Sequence, residues 1–67
     1  VYELWLIPRN GAPVAAAFLA QSPLSGSWTA GVHADMAQYV SMAATLEPAG
    51  GSRSPTSAQL LSVQLAG

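Results

Sequence analysis

The chain has 67 residues, no cysteine, and only Glu3, Arg9, Asp35, Glu47 and Arg53 as charged side chains, while half of its residues are apolar. Disulfide staples and thiolate metal sites are excluded, and two arginines without a lysine cannot neutralise the row of phosphates on which nucleic-acid affinity depends. A domain of this length buries only about 60% of the surface its unfolded chain exposes. A nearly neutral, apolar surface favours association. The expectation is a homo-oligomer of at least two chains, or part of a larger β-domain whose other strands cover this one. The longest apolar stretch, APVAAAFLA, is about half a membrane span, so the chain is not expected to cross a bilayer itself. Val1 opens directly into a strand pattern, with no basic flank or cleavage site of a signal peptide.

In chain order, VYELWLI alternates Tyr2, Leu4 and Leu6 against Val1, Glu3, Trp5 and Ile7, a period-two pattern rich in aromatic and branched residues. Asn10-Gly11 follows, two residues that tolerate positive φ, and predicts a hairpin back through VAAAFLA, residues 14–20. QSPLSGS is a loop, and WTAGVHA reads as a third strand with Trp28, Ala30 and Val32 on one face. Asp35 with Gln38 approximates a capping box for one or two helical turns, with Met36, Tyr39 and Val40 as an apolar stripe. Met42, Ala44 and Leu46 then alternate with Ala43, Thr45 and Glu47 until Pro48 removes a ladder donor. LLSVQLA is the last strand, with Leu61, Val63 and Leu65 inward and Ser62 and Gln64 outward. Five short strands and one helical turn without βαβ alternation define an antiparallel all-β unit, a small sandwich or partial barrel, over residues 1–67.

Candidate chemistry is sparse. TLEPAGGSRSPT, residues 45–56, has the glycines of a phosphate cradle but leads into a strand instead of a helix and carries no lysine, so it reads as a structural corner. His33, Asp35 and a serine can be drawn as a triad. No nucleophile elbow accompanies them, and a strand-end histidine beside a helix-capping aspartate is the preferred reading. Glu3 and Glu47 can be drawn as an acid/base pair, but are read as the solvent face of two strands. His33, Met36 and Met42 offer soft copper ligands, and packing explains the methionines better. Glu47 and Arg53 flank the loop and are candidates to pair across it. Trp5 and Trp28 are either core residues or a platform for carbohydrate or peptide, as in a secreted or surface β-domain. No catalytic, cofactor or metal site is expected.

The stretches YELWLIPRNGAPVAA and AATLEPAGGSRSPT, with the closing LAG, resemble the C-terminal domain of the anti-sigma-K factor family. Tyr2, Leu4, Trp5, Gly11 and Pro13 match its Tyr-x-Leu-Trp-Leu strand and Gly-x-Pro-Val turn. Thr45, Glu47, Pro48, Gly50, Gly51, Ser52, Pro55 and Thr56 match its Val-Thr-x-Glu-Pro-x-Gly-Gly-Ser-x-x-Pro-Thr signature. Ala17 stands where a glycine is common and Ala44 where a valine is usual. The resemblance implies an extracytoplasmic regulatory domain of a bacterial transmembrane anti-sigma factor, tethered by a membrane helix outside this chain, with further β-strands upstream of Val1. It also implies that the sigma factor is held by a separate cytoplasmic region and that a protease or outer signal acts on the system. The signature residues are then structural, or form a recognition loop.

Overall fold

The computed structural model describes residues 1–65. Its six strands are β1 (Tyr2–Pro8), β2 (Val14–Phe18), β3 (Ala20–Gln21), β4 (Trp28–Thr29), β5 (Tyr39–Leu46) and β6 (Leu61–Gln64). They form two antiparallel sheets, a four-stranded one ordered β2-β1-β5-β6 and a two-stranded one of β3 and β4. The all-β, antiparallel expectation is borne out. The last residues of the LAG stretch, Ala66 and Gly67, lie outside the described residues.

The hairpin forms, but its turn is wider than an Asn-Gly reversal. Leu6 pairs with Val14, so seven residues separate the last pair; of these, residues 9–13 lie outside both strands, and only Gly11 there has positive φ, at 106°. Pro13 has no N–H to offer the ladder, so β2 starts one residue later. Between Leu4 and Trp5 the register shifts, and Ala16 is the extra residue of a bulge. The run predicted as one strand through Ala20 is split. Leu19 N–H still donates to the Tyr2 carbonyl at 2.9 Å, but β1 has by then run out, and the chain turns into its own small hairpin. There Ala20 pairs with Thr29 and Gln21 with Trp28 across a turn closed by Ser22 N–H to the Ser27 carbonyl, 2.7 Å. With so short a partner, only two residues of WTAGVHA are strand.

Asp35 caps a single 3-10 turn, Met36–Gln38, accepting from Ala37 N–H at 3.2 Å and from the Gln38 amide at 3.3 Å. The cap is therefore as expected, but Tyr39 and Val40 belong to β5 and Met36 is exposed.

β5 pairs with β1 from Tyr2↔Leu46 to Pro8↔Tyr39 and carries β6 on its other side. Alternation gives the sheet two unlike faces. On one lie Glu3, Trp5, Ala43 and Thr45; on the other, Tyr2, Leu4, Leu6, Ala44, Leu61 and Val63. The first is closed by residues 48–57, which fold back over it. The second is covered only in part, Tyr2 meeting Trp28 edge to face at 4.9 Å. Leu61 and Val63, predicted inward, are 53% and 47% exposed, because β6 is an edge strand on the uncovered face.

Gly51 lets the folded-back loop approach the sheet. Its φ is 81°, and a Cβ there would lie 2.7 Å from the Phe18 ring and 3.1 Å from a Glu3 carboxylate oxygen. Gly50 has φ 89° and open space around it. Gly50→Ala should cost about 1–2 kcal/mol from backbone conformation alone, and Gly51→Ala about 1 kcal/mol more from crowding. Urea midpoints of both variants, repeated in a Phe18→Ala background, check this: the gap should narrow when the ring is gone, and equal costs beside the intact ring would refute the contact.

Candidate functional site

The corner at residues 47–56 is built by β1 and β5 together. Trp5 and Thr45 sit diagonally on one face of adjacent strands, both fully buried. The indole N–H donates to Thr45 Oγ1 at 2.8 Å, and the Thr45 hydroxyl in turn donates to Glu47 Oε2. The same carboxylate receives Thr56 N–H at 3.1 and 3.2 Å and the Thr56 hydroxyl. A second carboxylate completes the clasp, Glu3 Oε1 accepting Ser52 N–H at 2.9 Å. Ser57 Oγ donates to the Leu46 carbonyl at 2.8 Å. At the strand end, Val1 and Glu47 exchange main-chain bonds of 2.7 and 2.8 Å.

The reading of Glu3 and Glu47 as solvent-facing is overturned: each is only 4% exposed. Both lie on the face that the loop closes, and the loop supplies their donors, so burial is compensated by hydrogen bonds. Among the described residues, every fully buried side-chain nitrogen and oxygen has a partner. The Thr45 hydroxyl, then the Thr56 hydroxyl, hold the Glu47 carboxyl down from 4.5 to about 2, outweighing the opposing effect of desolvation. Arg53 does not share this role. It is exposed, and the Glu47 oxygens are taken by the threonines.

Of the residues singled out in sequence, the fold brings Trp5, Thr45, Glu47, Gly51, Ser52 and Thr56 together. Pro48 follows the strand end, Gly50 turns the loop, and Pro55 is half-buried beside Thr56. Tyr2 and Leu4 face the other side of the sheet; Gly11 and Pro13 stand apart in the first hairpin. Trp5 and Trp28 form no common platform, because Trp5 is sealed in the clasp while Trp28 is half-exposed against Tyr2. His33 is exposed, and the Asp35 oxygens serve the helical cap. Met42 is half-buried in β5. Among the described residues no three His, Cys, Asp or Glu side chains are grouped to hold a metal ion, and no helix is long and apolar enough to cross a membrane. The parts sequence reasoning missed are Glu3 as an anchor and Phe18 as the ring over Gly51. The available signal was that Glu3, Trp5, Thr45 and Glu47 share one period-two face, where a large buried aromatic makes a solvent assignment untenable.

These features define an all-β domain whose polar cluster is turned inward, locking a loop to its sheet. The chain belongs to the family described as Anti-sigma-K factor rskA, C-terminal, whose model matches residues 1–60. Membership places it among the C-terminal domains of anti-sigma factors, a regulatory class. No curated protein and no solved structure matches the chain.

Two measurements test the clasp. Thr45→Val keeps the shape but strips the Trp5 N–H of its acceptor, and should cost about 1–3 kcal/mol in urea unfolding; a neutral result would show the bond to be idle. Because Glu47 titrates lower in the folded than in the unfolded chain, its contribution is full above about pH 4.5 and is lost as pH falls toward 2. The urea midpoint should therefore drop across that window, and Glu47→Gln should remove part of the drop. An unchanged pH profile in the variant would refute the assignment.

Proposed function

We propose that this domain is the extracytoplasmic regulatory module of a membrane-anchored anti-sigma factor, acting without catalysis on sigma-factor-dependent transcription. The observation that carries the reading is the family membership of residues 1–60. The clasp agrees with it: Glu47, the most perturbed acid, has its oxygens occupied by the chain's own threonines, an arrangement suited to holding a loop and unsuited to proton transfer with a substrate. The domain senses an outer signal or shields the segment near the membrane from proteolysis, while a cytoplasmic region of the same protein holds the sigma factor. Residues 1–67 make no sigma-factor contact of their own, and form the C-terminal part of a larger β-domain.

In spheroplasts making the full-length protein, externally added protease should cleave this domain while the sigma-binding region stays protected. Deleting residues 1–67 should alter transcription from sigma-dependent promoters without abolishing sigma-factor capture. Protection of the domain until lysis, or tight binding of the sigma factor by the 67-residue chain alone, would overturn the reading.

A further inference from the structure

The two edges of the main sheet are not equivalent. β2 is preceded by Pro13 and distorted by the bulge at Ala16, two devices that discourage strand addition. β6, Leu61–Gln64, is regular, carries no charge and no proline, and has all its residues exposed. Its free hydrogen-bonding groups can be assigned. Glu47 exchanges bonds with Val1, and antiparallel pairs alternate in bonding, so Ala43 and Thr45 also face β1, whereas Val40, Met42 and Ala44 face β6. The bond from Leu65 N–H to the Val40 carbonyl, 3.0 Å, agrees. Leu60 N–H also reaches the Ala44 carbonyl, at 2.8 Å, so the ladder is irregular just before β6 and alternates from Leu61 on; Val63 and Leu65 thus spend their main-chain groups on β5, leaving those of Ser62 and Gln64 directed outward along an edge that is unpaired among the described residues.

We propose that β6 is a homodimer edge, pairing antiparallel with β6 of a second copy about a two-fold axis through Val63. In that register Ser62 of each copy exchanges both main-chain bonds with Gln64 of the other, so every outward group on the edge finds a partner. The axis stands perpendicular to the sheet, and both copies keep Leu61 and Val63 on the same, uncovered face. The Val63 side chains meet as a non-hydrogen-bonded pair, with Cα atoms about 4.5 Å apart. Surface area leaves room for a second copy. The chain exposes 4552 Å², whereas a folded monomer of 6.8 kDa is expected to expose about 3,950 Å². The excess is on the order of 600 Å² per copy, so a dimer that hid it would bury about 1,200 Å² in all, the lower bound of specific interfaces.

The test is sedimentation equilibrium of the 67-residue chain from micromolar to millimolar concentration, with two variants. Wild type should show a dimer. Gln64→Pro removes an N–H that the fold itself does not use and should give a monomer with an unchanged far-ultraviolet spectrum. Val63→Cys, in a chain with no other cysteine, should form an interchain disulfide on mild oxidation, since the pair lies within the usual Cα separation of about 4.4–6.8 Å. A wild-type monomer throughout the range overturns the proposal. So does a dimer that survives Gln64→Pro while Val63→Cys stays unlinked, which would place the contact on the open face instead. Should Gln64→Pro fail to fold, the Val63→Cys result decides alone.

Discussion

Everything on the closed face depends on the carboxylate of Glu47 being buried and satisfied. A carboxylate cannot leave water without donors for its oxygens, and two threonines meet that demand here: Thr45, two residues earlier in β5, and Thr56, nine residues on at the far end of the corner. Meeting it fixes the path between them. The polypeptide must leave the sheet at Pro48, reverse through two glycines of positive φ, and return with Thr56 beside Glu47. On that return it passes Glu3, where Ser52 docks, and lies under the Phe18 ring at Gly51. Trp5 is sealed by the result, and its indole N–H, which would otherwise be orphaned, ends on the Thr45 hydroxyl.

Such a chain of donors is directional. The indole can only donate, the carboxylate can only accept, and the Thr45 hydroxyl between them does both. The orientation of that hydroxyl is therefore dictated from both ends, and replacing any member leaves a buried group unpaired. These residue types suit the demand. Threonine supplies a hydroxyl on a β-branched residue suited to a strand, glutamate a double acceptor, and the paired glycines a reversal with no side chain between loop and sheet. In this chain the Glu47 oxygens and the Thr45 and Thr56 hydroxyls are all engaged with one another.

The strands were legible in the sequence wherever period-two alternation coincided with a long partner. β1 and β5 stand close to where the alternation puts them, because each has a full-length neighbour to pair with. β4 fell short because pairing needs two strands, and Ala20–Gln21 offers only two residues. The acids were misread for a related reason. Alternation sorts side chains onto two faces but does not say which face is covered, and covering by a loop leaves no periodic trace. Glu3 and Glu47 were assigned to solvent by polarity, although Trp5 between them on the same face argued for burial. Leu61 and Val63 were assigned inward by apolarity, although a strand that follows a long corner and ends the sheet has no neighbour to cover it. In both cases polarity described the side chain correctly and its surroundings wrongly.

The clasp and the open edge are coupled through the residues that join them. Thr56 is held by Glu47, and Ser57 by the Leu46 carbonyl. From that fixed point the chain runs to Leu60, whose N–H reaches the Ala44 carbonyl at 2.8 Å and so sets where β6 begins on β5. A slip of one residue would exchange Leu61 and Val63 for Ser62 and Gln64 on the open face and turn different main-chain groups outward. Neighbouring apolar side chains restrain β6 only weakly, since the strand is exposed throughout. Its register therefore rests on the ladder to β5 and on the anchor at Thr56. The buried carboxylate, although it faces away from Leu61 and Val63, thereby helps decide which groups β6 presents at the edge.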